Sequence, residues 1–454
     1  MRVEAISRPH AAQTIDLLSD FVARAKRHGA SAAEAALIKG ISFSVSHRMG
    51  AREDTVRSEG GGVGVRVFFG KRQAMASSSE LTRDSLDSLL ERVVAIARVS
   101  PEDPYCGLAE VDQLATTFPD LELNDSHEPS GDELFALAAE TEAAALAVPG
   151  IVNSGGAGAN WGRADLTLVT SDGFIGSMAS SSFGIGVSVM AGSDAAMETD
   201  YASSGSHFRA DLDSPARVGT EAGERAVRRL NPRKPDSMVM PIVYEPRVAN
   251  SLLGCLAGAI NGLGIARGSS FLLNDLNKLI FGPDVTIVDD PLRRRGLGSR
   301  PFDAEGVTSK RLTLVDKGVL KTWMLSTADA RQLGLRSTGH AVRGLGSPPG
   351  PSPTNLYLEP GTRTPEELMA GIRLGAYVTN LYGDGIDLLT GDYSVGAAGF
   401  LIEDGKRTVP ISEFTIAANL RDMFRNLVPA NDLVFRYGFD APTIRIDGMT
   451  VGGA

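Results

Sequence analysis

The amino-acid sequence predicts an α+β protein with several domains, in which helices pack on twisted, mostly antiparallel sheets. Amphipathic helical patterns occur between short alternations of apolar and polar residues, and nearly every pair of strand candidates is bounded by Gly or Asp-Gly. The chain has 454 residues, which corresponds to about three domains. Its 51 glycines indicate many turns and close backbone approaches. No short repeat period is present, which argues against a solenoid.

The first third of the chain alternates helix and strand. An apolar stripe at helical spacing over 17–25 predicts a helix, and alternation over 41–45 and 63–69 predicts two strands. Thr82 is a suitable N-cap for a second amphipathic helix over 86–97.

The middle of the chain opens with a capping-box pattern at 130–133, which predicts the start of a helix. Strand-like alternation follows at 166–168 and 183–189. Ser214-Pro215 predicts another helix, because Pro is favoured at the first helical position. This helix should end near Leu230, before two closely spaced prolines.

The last part is predicted to be rich in strands, with one capped helix start at 364–367. A Gly- and Pro-rich loop over 344–353 separates two parts of it. The strand candidates are 240–244, 285–287, 312–314 and 395–402.

Two composition shifts predict the domain boundaries. The run over 100–129 is rich in Pro, Asp and Glu, which predicts a linker or irregular crossing, and Asn-Pro and Lys-Pro pairs follow at 231–235. We therefore expect an N-terminal α/β domain (1–125), a middle domain (126–235) and a C-terminal β-rich domain (236–454).

Charge and cysteine content exclude several classes. The chain has 45 basic and 55 acidic residues, a net charge of −10 without a basic block, which argues against direct nucleic-acid binding. Cys106 and Cys255 form no C-x-x-C pattern, so a disulfide framework and a cysteine-rich zinc module are excluded. The first ten residues have no apolar segment typical of a signal peptide. These observations predict a cytoplasmic protein.

The stretch 248–266 raises the question of a membrane helix, because it contains no charged residue. Gly254, Gly258 and Gly262 repeat in it at four-residue spacing. Asn and Ser side chains interrupt it, however, which favours a buried helix packed closely against another backbone.

Familiar catalytic motifs are absent. There is no phosphate-binding loop and no strict G-x-G-x-x-G, and Gly391 stands three residues before Ser394 rather than the two of a nucleophile elbow. His127-Glu128 lacks the second histidine of a zinc protease helix. His340, in a Gly-containing context, is the best lone candidate for a functional histidine, with an ordinary hydrogen-bonded histidine as the alternative.

Two segments, 289–306 and 383–396, combine carboxylates, small hydroxyls and glycines. One interpretation is that Gly allows a peptide main chain to approach a strand edge. The alternative is ordinary turn and bulge chemistry, where Asp and Gly are also favoured. The candidates for a cleft lining are Asp303, Glu305, His340, Asp392 and Ser394.

Long stretches of the chain are similar to one known family. They comprise the two segments just described together with 411–420, 269–272 and 61–78. On these residues the sequence resembles the TldD/PmbA family, and the resemblance covers most of the chain, from about Ala33 to the end.

The resemblance also indicates a branch of that family. The TldD branch carries an H-E-x-x-x-H helix that holds a metal together with a later cysteine, whereas the PmbA branch, also called TldE, lacks this site and pairs with TldD. The matching helix here is 252–259, where Gly254, Cys255 and Ala259 occupy the positions of the first histidine, the glutamate and the second histidine. Gly and Ala have no donor for zinc, and no cysteine follows Cys255. The sequence therefore resembles the TldE branch, with three degenerate metal-site positions.

The resemblance implies a non-catalytic subunit of a TldD/TldE-type metalloprotease that degrades or processes unfolded peptides. It implies no catalytic residue, metal ligand or cofactor in this chain, with zinc expected in a TldD-type partner subunit. A family link to modulation of DNA gyrase is interpreted as indirect because the chain is acidic. Two alternatives stay open: a homodimeric peptide-binding or regulatory protein without protease activity, and an independent hydrolase that uses Asp, Ser or His340.

Overall fold

The structure, a computed structural model, describes residues 8–193 and 197–454 and confirms the mixed α+β class. Residues 1–7, which belong to the segment predicted to lack a signal peptide, lie outside the described residues. The helices are α1 (Arg8–Arg27), α2 (Arg83–Val99), α3 (Gly131–Leu146), α4 (Pro215–Arg228), α5 (Pro246–Ala259), α6 (Gly262–Ala266), α7 (Thr327–Gln332), α8 (Pro365–Met369) and α9 (Leu420–Arg425).

The strands belong to two six-stranded sheets, a five-stranded sheet and a two-stranded ribbon. They are β1 (Ala32–Arg48), β2 (Ala51–Phe69), β3 (Arg72–Ser78), β4 (Ile151–Thr170), β5 (Ile175–Ala191), β6 (Glu198–Ser206), β7 (Met238–Tyr244), β8 (Ile287–Asp289), β9 (Leu312–Asp316), β10 (Val319–Leu320), β11 (Ala341–Val342), β12 (Gly350–Pro351), β13 (Leu356–Leu358), β14 (Leu374–Tyr382), β15 (Asp392–Glu403), β16 (Lys406–Asn419), β17 (Leu427–Pro429), β18 (Phe439–Asp440) and β19 (Ile444–Gly452).

The first six strands form one antiparallel sheet in the order β3-β2-β1-β4-β5-β6. Trp161 of β4 stands opposite both Phe43 of β1 and Phe183 of β5, so an aromatic row crosses the sheet. Strands from both sides of residue 125 belong to this sheet, which is continuous across the first two predicted domains. The division into three domains stays a prediction.

Helices α1 to α4 cover one face of this sheet. Buried side chains of α1 and α2 pack against Leu37 of β1, and those of α3 and α4 pack with Val45 further along the same strand. Both strand residues have odd numbers and therefore point to the same face, because side chains alternate along a strand. The amphipathic patterns predicted for α1 and α2 are confirmed, and so are the helix starts predicted for α3 and α4.

The C-terminal part contains a closed barrel. The strands follow in the order β16-β15-β14-β7-β19, and a further pairing of β16 with β19, with Ile416 opposite Val451, completes the ring. Parallel pairing of β7 with β14 is the exception in these otherwise antiparallel contacts. Apolar side chains of the barrel share one large core with α5, which fixes that helix against the barrel.

The uncharged stretch 248–266 forms two helices, which corrects the expectation of one. Helix α5 ends at Ala259, and Asn261 begins α6 by accepting a hydrogen bond from the Leu263 N–H at 3.1 Å. Close packing is confirmed, since a Cβ on Gly262 would lie 2.8 Å from the Met324 carbonyl oxygen. Within residues 8–193 and 197–454, no helix is long and apolar enough to cross a membrane.

The connection over 100–129 and the start of β8 were both predicted from the sequence. The run over 100–129 is largely irregular, as predicted, with one short 3₁₀ helix at Val111–Gln113 and a bridge from Leu114 to Val307. The strand expected at 285–287 starts instead at Ile287, because Val285 closes a turn by donating to the Gly282 carbonyl at 3.1 Å.

Candidate functional site

Helix α5 carries the three positions where the resemblance implies degenerate metal ligands. Gly254 lies on its partly exposed side, and a Cβ there would meet only a ring carbon of Phe439, at 4.0 Å. One turn later, a Cβ on Gly258 would lie 2.6 Å from a methyl of Leu388. Ala259 is fully buried. Gly254 and Gly258 therefore present backbone on one side of α5, and Ala259 contributes a methyl group to the core.

Cys255 points away from that face into the barrel core. It is 5% exposed, and burial raises the pKa of its thiol to about 11. Its surroundings include the hydroxyls of Tyr244 and Tyr393, whose pKa values burial also raises. The thiol is thus protonated near neutral pH and unsuited to binding zinc. In the part of the chain that the structure describes, no group of three His, Cys, Asp or Glu side chains is arranged to hold a metal.

Asp303 and Glu305 form a buried acid pair where the C-terminal part meets the first sheet. Asp303 accepts hydrogen bonds from the backbone N–H groups of Glu305 and Val307, both at 2.9 Å, while Glu305 lies 3.7 Å from Arg66 of β2. Burial, and next the charge of Glu305, raise the pKa of Asp303 to about 7, and burial raises that of Glu305. The pair is 1% and 3% exposed, respectively.

His340 lies close to this pair but has its own partners. The Asp303 carboxylate accepts from the backbone N–H of Ala341 at 3.0 Å, directly after the histidine. The imidazole contacts Asp289 through Nε2 at 3.2 Å and Thr338 through Nδ1 at 2.9 Å. The histidine is 1% exposed and Asp289 is fully buried. His340 is therefore the middle member of a three-residue chain of hydrogen bonds.

Asp392 and Ser394 lie elsewhere, on the exposed side of β15. Asp392 accepts from the Thr390 hydroxyl at 2.8 Å, and the Ser394 N–H donates to the Gly385 carbonyl at 2.7 Å. A Cβ on Gly385 would collide with the Ser394 carbonyl oxygen, so glycine here allows two segments of the same chain to approach. The structure brings Asp303, Glu305 and His340 together in a buried region and leaves the other two apart. That any of the five lines a substrate cleft stays a prediction.

One charged cluster was missed from the sequence. Asp200 of β6 is 2% exposed and pairs with Arg247 of α5 at 2.6 Å and with Arg229 at 3.2 Å. Burial alone would raise the pKa of Asp200, but the two arginines outweigh it and the pKa lies below its usual value. The cluster ties the first turn of α5 to the first sheet. A lone buried Asp in a Ser-rich strand gives little indication of partners that are distant in sequence.

The Asp289 partner of His340 was also missed. Asp289 begins one of the two segments that the sequence marks as unusual, and His340 is a lone histidine candidate outside both, so nothing in the sequence connects them. The two residues are 51 positions apart, and β8 and β11 bring them together only in the fold.

Comparison with known proteins places the chain in a family. Three family models match: PmbA/TldA metallopeptidase domain 1 over residues 33–97, the central domain over 124–230 and the C-terminal domain over 237–453. The chain is 36% identical to "Metalloprotease PmbA" of Escherichia coli O157:H7 over 93% of its length and 92% of that protein.

Solved structures agree with the family models. A crystal structure of a candidate modulator of DNA gyrase from Bacteroides thetaiotaomicron superposes with a TM-score of 0.90 at 26% identity, over 99% of this chain and all of the other. TldE from Thermococcus kodakarensis superposes with a TM-score of 0.87 at 17% identity, over 96% of this chain and all of that one, which shows a shared fold. The chain therefore belongs to the PmbA/TldD metallopeptidase family.

Proposed function

We propose that this chain is the non-catalytic subunit of a two-subunit metallopeptidase of the TldD/TldE type, which degrades or processes unfolded peptides. The observation that carries the proposal is the donor set on α5. A catalytic zinc takes three protein ligands and keeps one position open. At the matching positions, Gly254 and Ala259 have no donor atom, and the Cys255 thiol is buried with a raised pKa. These residues do not fit a zinc ion, so no reaction step is assigned to them.

The zinc is proposed to lie in a TldD-type partner that carries the H-E-x-x-x-H helix. The open space at Gly254 supports close approach of a facing subunit at that position, because backbones can come nearest where no Cβ intervenes. A chamber enclosed between two subunits would admit extended chains and exclude folded ones. This is the proposed reason for selecting unfolded peptides. We also propose a cytoplasmic location, which two free cysteines support.

The pairing is tested with the full chain and the TldD-type protein encoded in the same genome, purified separately. We expect sizing chromatography of the mixture at micromolar concentration to give one complex that contains both chains, with zinc only from the partner. A homodimer that does not associate with the partner would support the regulatory alternative instead.

Two cysteine variants sharpen the metal measurement. Cys255→Ala should leave the zinc content of the complex unchanged, and so should Cys106→Ala, the matched control at the other buried free thiol. Stoichiometric zinc in this chain alone, lost in Cys255→Ala and kept in Cys106→Ala, would overturn the proposal.

A further inference from the structure

We propose that Thr338, His340 and Asp289 form a second site, a hydroxyl–imidazole–carboxylate relay that hydrolyses esters bearing a negative charge. Thr338 lines a cavity of about 520 Å³ between β9, the 336–338 segment and the 111–113 helix, and His340 and Asp289 are buried behind it. The inference needs neither a metal nor a partner subunit, so it stands independently of the proposed peptidase role.

The geometry is that of a nucleophile, a base and an orienting group. Thr338 Oγ1 lies 2.9 Å from His340 Nδ1, and Nε2 of the same ring lies 3.2 Å from Asp289 Oδ2. These distances match the pattern in which a base contacts the nucleophile and a third residue holds the base. The Thr338 hydroxyl also accepts a hydrogen bond from the Leu325 N–H at 2.7 Å, which fixes the position of its oxygen. The Leu325 carbonyl, at 3.3 Å, is the other acceptor within reach of this hydroxyl and is more distant than the imidazole.

Asp289 determines which ring nitrogen carries the proton. Its carboxylate also accepts from the backbone N–H of Thr354 at 2.7 Å and from the hydroxyl of that residue at 2.5 Å. Burial alone would raise the pKa of Asp289, but the bonds from His340 and Thr354 lower it below its usual value. An ionised Asp289 requires a donor on Nε2. Nδ1 is then left as the acceptor that faces the Thr338 hydroxyl.

The cavity in front of Thr338 favours an anionic ligand. Lys310 and Lys321 line it, and within the described ranges neither ammonium group has a hydrogen bond or ion pair. Arg336, also on the lining, pairs with Asp112 at 2.7 Å, and both side chains are largely exposed. Three cations against one carboxylate leave an excess of positive charge in a chain whose net charge is −10. An ester with a carboxylate or phosphate on its acyl part suits this cavity.

The reaction is an ordinary acyl transfer to water. Thr338 Oγ1 attacks the ester carbon while its proton passes to His340 Nδ1. The tetrahedral intermediate then expels the alcohol, which takes that proton, and the acyl group stays on Thr338. Water attacks the acyl-threonine and gives one proton to Nδ1, which returns it to Thr338 as the acid leaves. Ester and water give acid and alcohol, with no oxidant or reductant.

The test uses the purified full chain with two chromogenic probes, the 4-nitrophenyl monoester of succinic acid and 4-nitrophenyl butyrate. We expect a 4-nitrophenolate burst equivalent to the protein, faster turnover of the anionic probe, and a succinyl adduct that peptide mapping places on Thr338. Thr338→Val should lower the rate by about 10²-fold or more, whereas Thr338→Ser should retain the burst. Thr408→Val, which removes an exposed hydroxyl of β16 outside this cavity, is the matched control and should behave as wild type.

Further variants separate positioning from packing. Asp289→Asn should lower kcat with KM unchanged, because it alters the imidazole and not the cavity. The double variant Lys310→Gln/Lys321→Gln should remove the preference for the anionic probe and keep the turnover of the neutral one. Wild-type turnover in Thr338→Val, or an adduct on a lysine, would overturn the proposal. If Thr338→Val does not fold, the adduct position on the wild-type chain decides alone.

Discussion

The substitution Asp200→Asn tests how α5 is held against the first sheet. It keeps the size of the side chain and removes the charge that faces Arg229 and Arg247, each of which has a side chain only 7% exposed. Removing one partner of a buried ion pair leaves an uncompensated charge and costs about 3–5 kcal/mol. Here the two arginines lose their shared anion, but Arg229 keeps Glu198 at 2.9 Å and Arg247 keeps Glu245 at 3.1 Å. We therefore expect a loss near the lower end of that range.

The assay is urea unfolding of the full chain at pH 7, monitored by circular dichroism. The matched control is Asp213→Asn, which breaks a 2.7 Å pair with Arg217 whose side chains are 26% and 54% exposed. It should cost less than about 1 kcal/mol. A loss below about 1 kcal/mol in Asp200→Asn, equal to the control, would refute the interpretation that this cluster holds α5.

The same variant has a defined pH dependence. The pKa of Asp200 is lowered in the folded state from a usual value of 3.8. Its stabilising contribution is therefore complete above that usual value and is lost as the pH falls through the lower folded pKa. The difference between wild type and Asp200→Asn should be constant near neutral pH and shrink in acid.

Three further changes test other parts of the structure. The pKa of Asp303 is raised from 3.8 to about 7, so between those values the folded chain keeps a proton that the unfolded chain has lost. The free energy of unfolding should then fall as pH rises, by up to ~1.4 kcal/mol per pH unit. Urea unfolding at a series of pH values should show a shallower dependence of this free energy on pH in Asp303→Asn. The same dependence in the variant and the wild type would contradict this interpretation. Gly64→Ala should cost about 1–3 kcal/mol in thermal melts because its Cβ would collide with the Leu345 carbonyl, whereas Gly60→Ala meets no atom within 4 Å and should not destabilise. Gly254→Ala should raise stability by roughly 0.5–1 kcal/mol, since the site is open and Ala is the better helix former; a destabilised variant would show that this side of α5 is occupied.

Local features of the fold were largely predictable from the sequence. The caps at Thr82, Ser130 and Thr364 all accept the expected backbone hydrogen bonds, because capping depends on residues three positions apart. Strand alternation over 63–69 and 395–402 is likewise a local pattern and is confirmed. The family also followed from contiguous segments that resemble known motifs.

Long-range contacts could not be predicted in this way. Glu34 pairs with Arg343, 309 positions later, and both are buried where the first sheet meets the C-terminal part. The pairing of His340 with Asp289 is a similar case, because the sequence around each residue predicts only a loop or the end of a strand. The barrel closure through β16 and β19 depends on register between strands, which no single segment encodes. The partners of buried polar residues therefore became evident only from the three-dimensional structure.

The most direct test of the proposed role is cleavage of an unfolded peptide by three samples: this chain alone, the TldD-type partner alone, and their mixture. Each is measured with and without a metal chelator. The account predicts chelator-sensitive cleavage that rises as this chain is titrated into the partner and levels off at a fixed ratio, with none from this chain alone. Chelator-sensitive cleavage by this chain alone would contradict it.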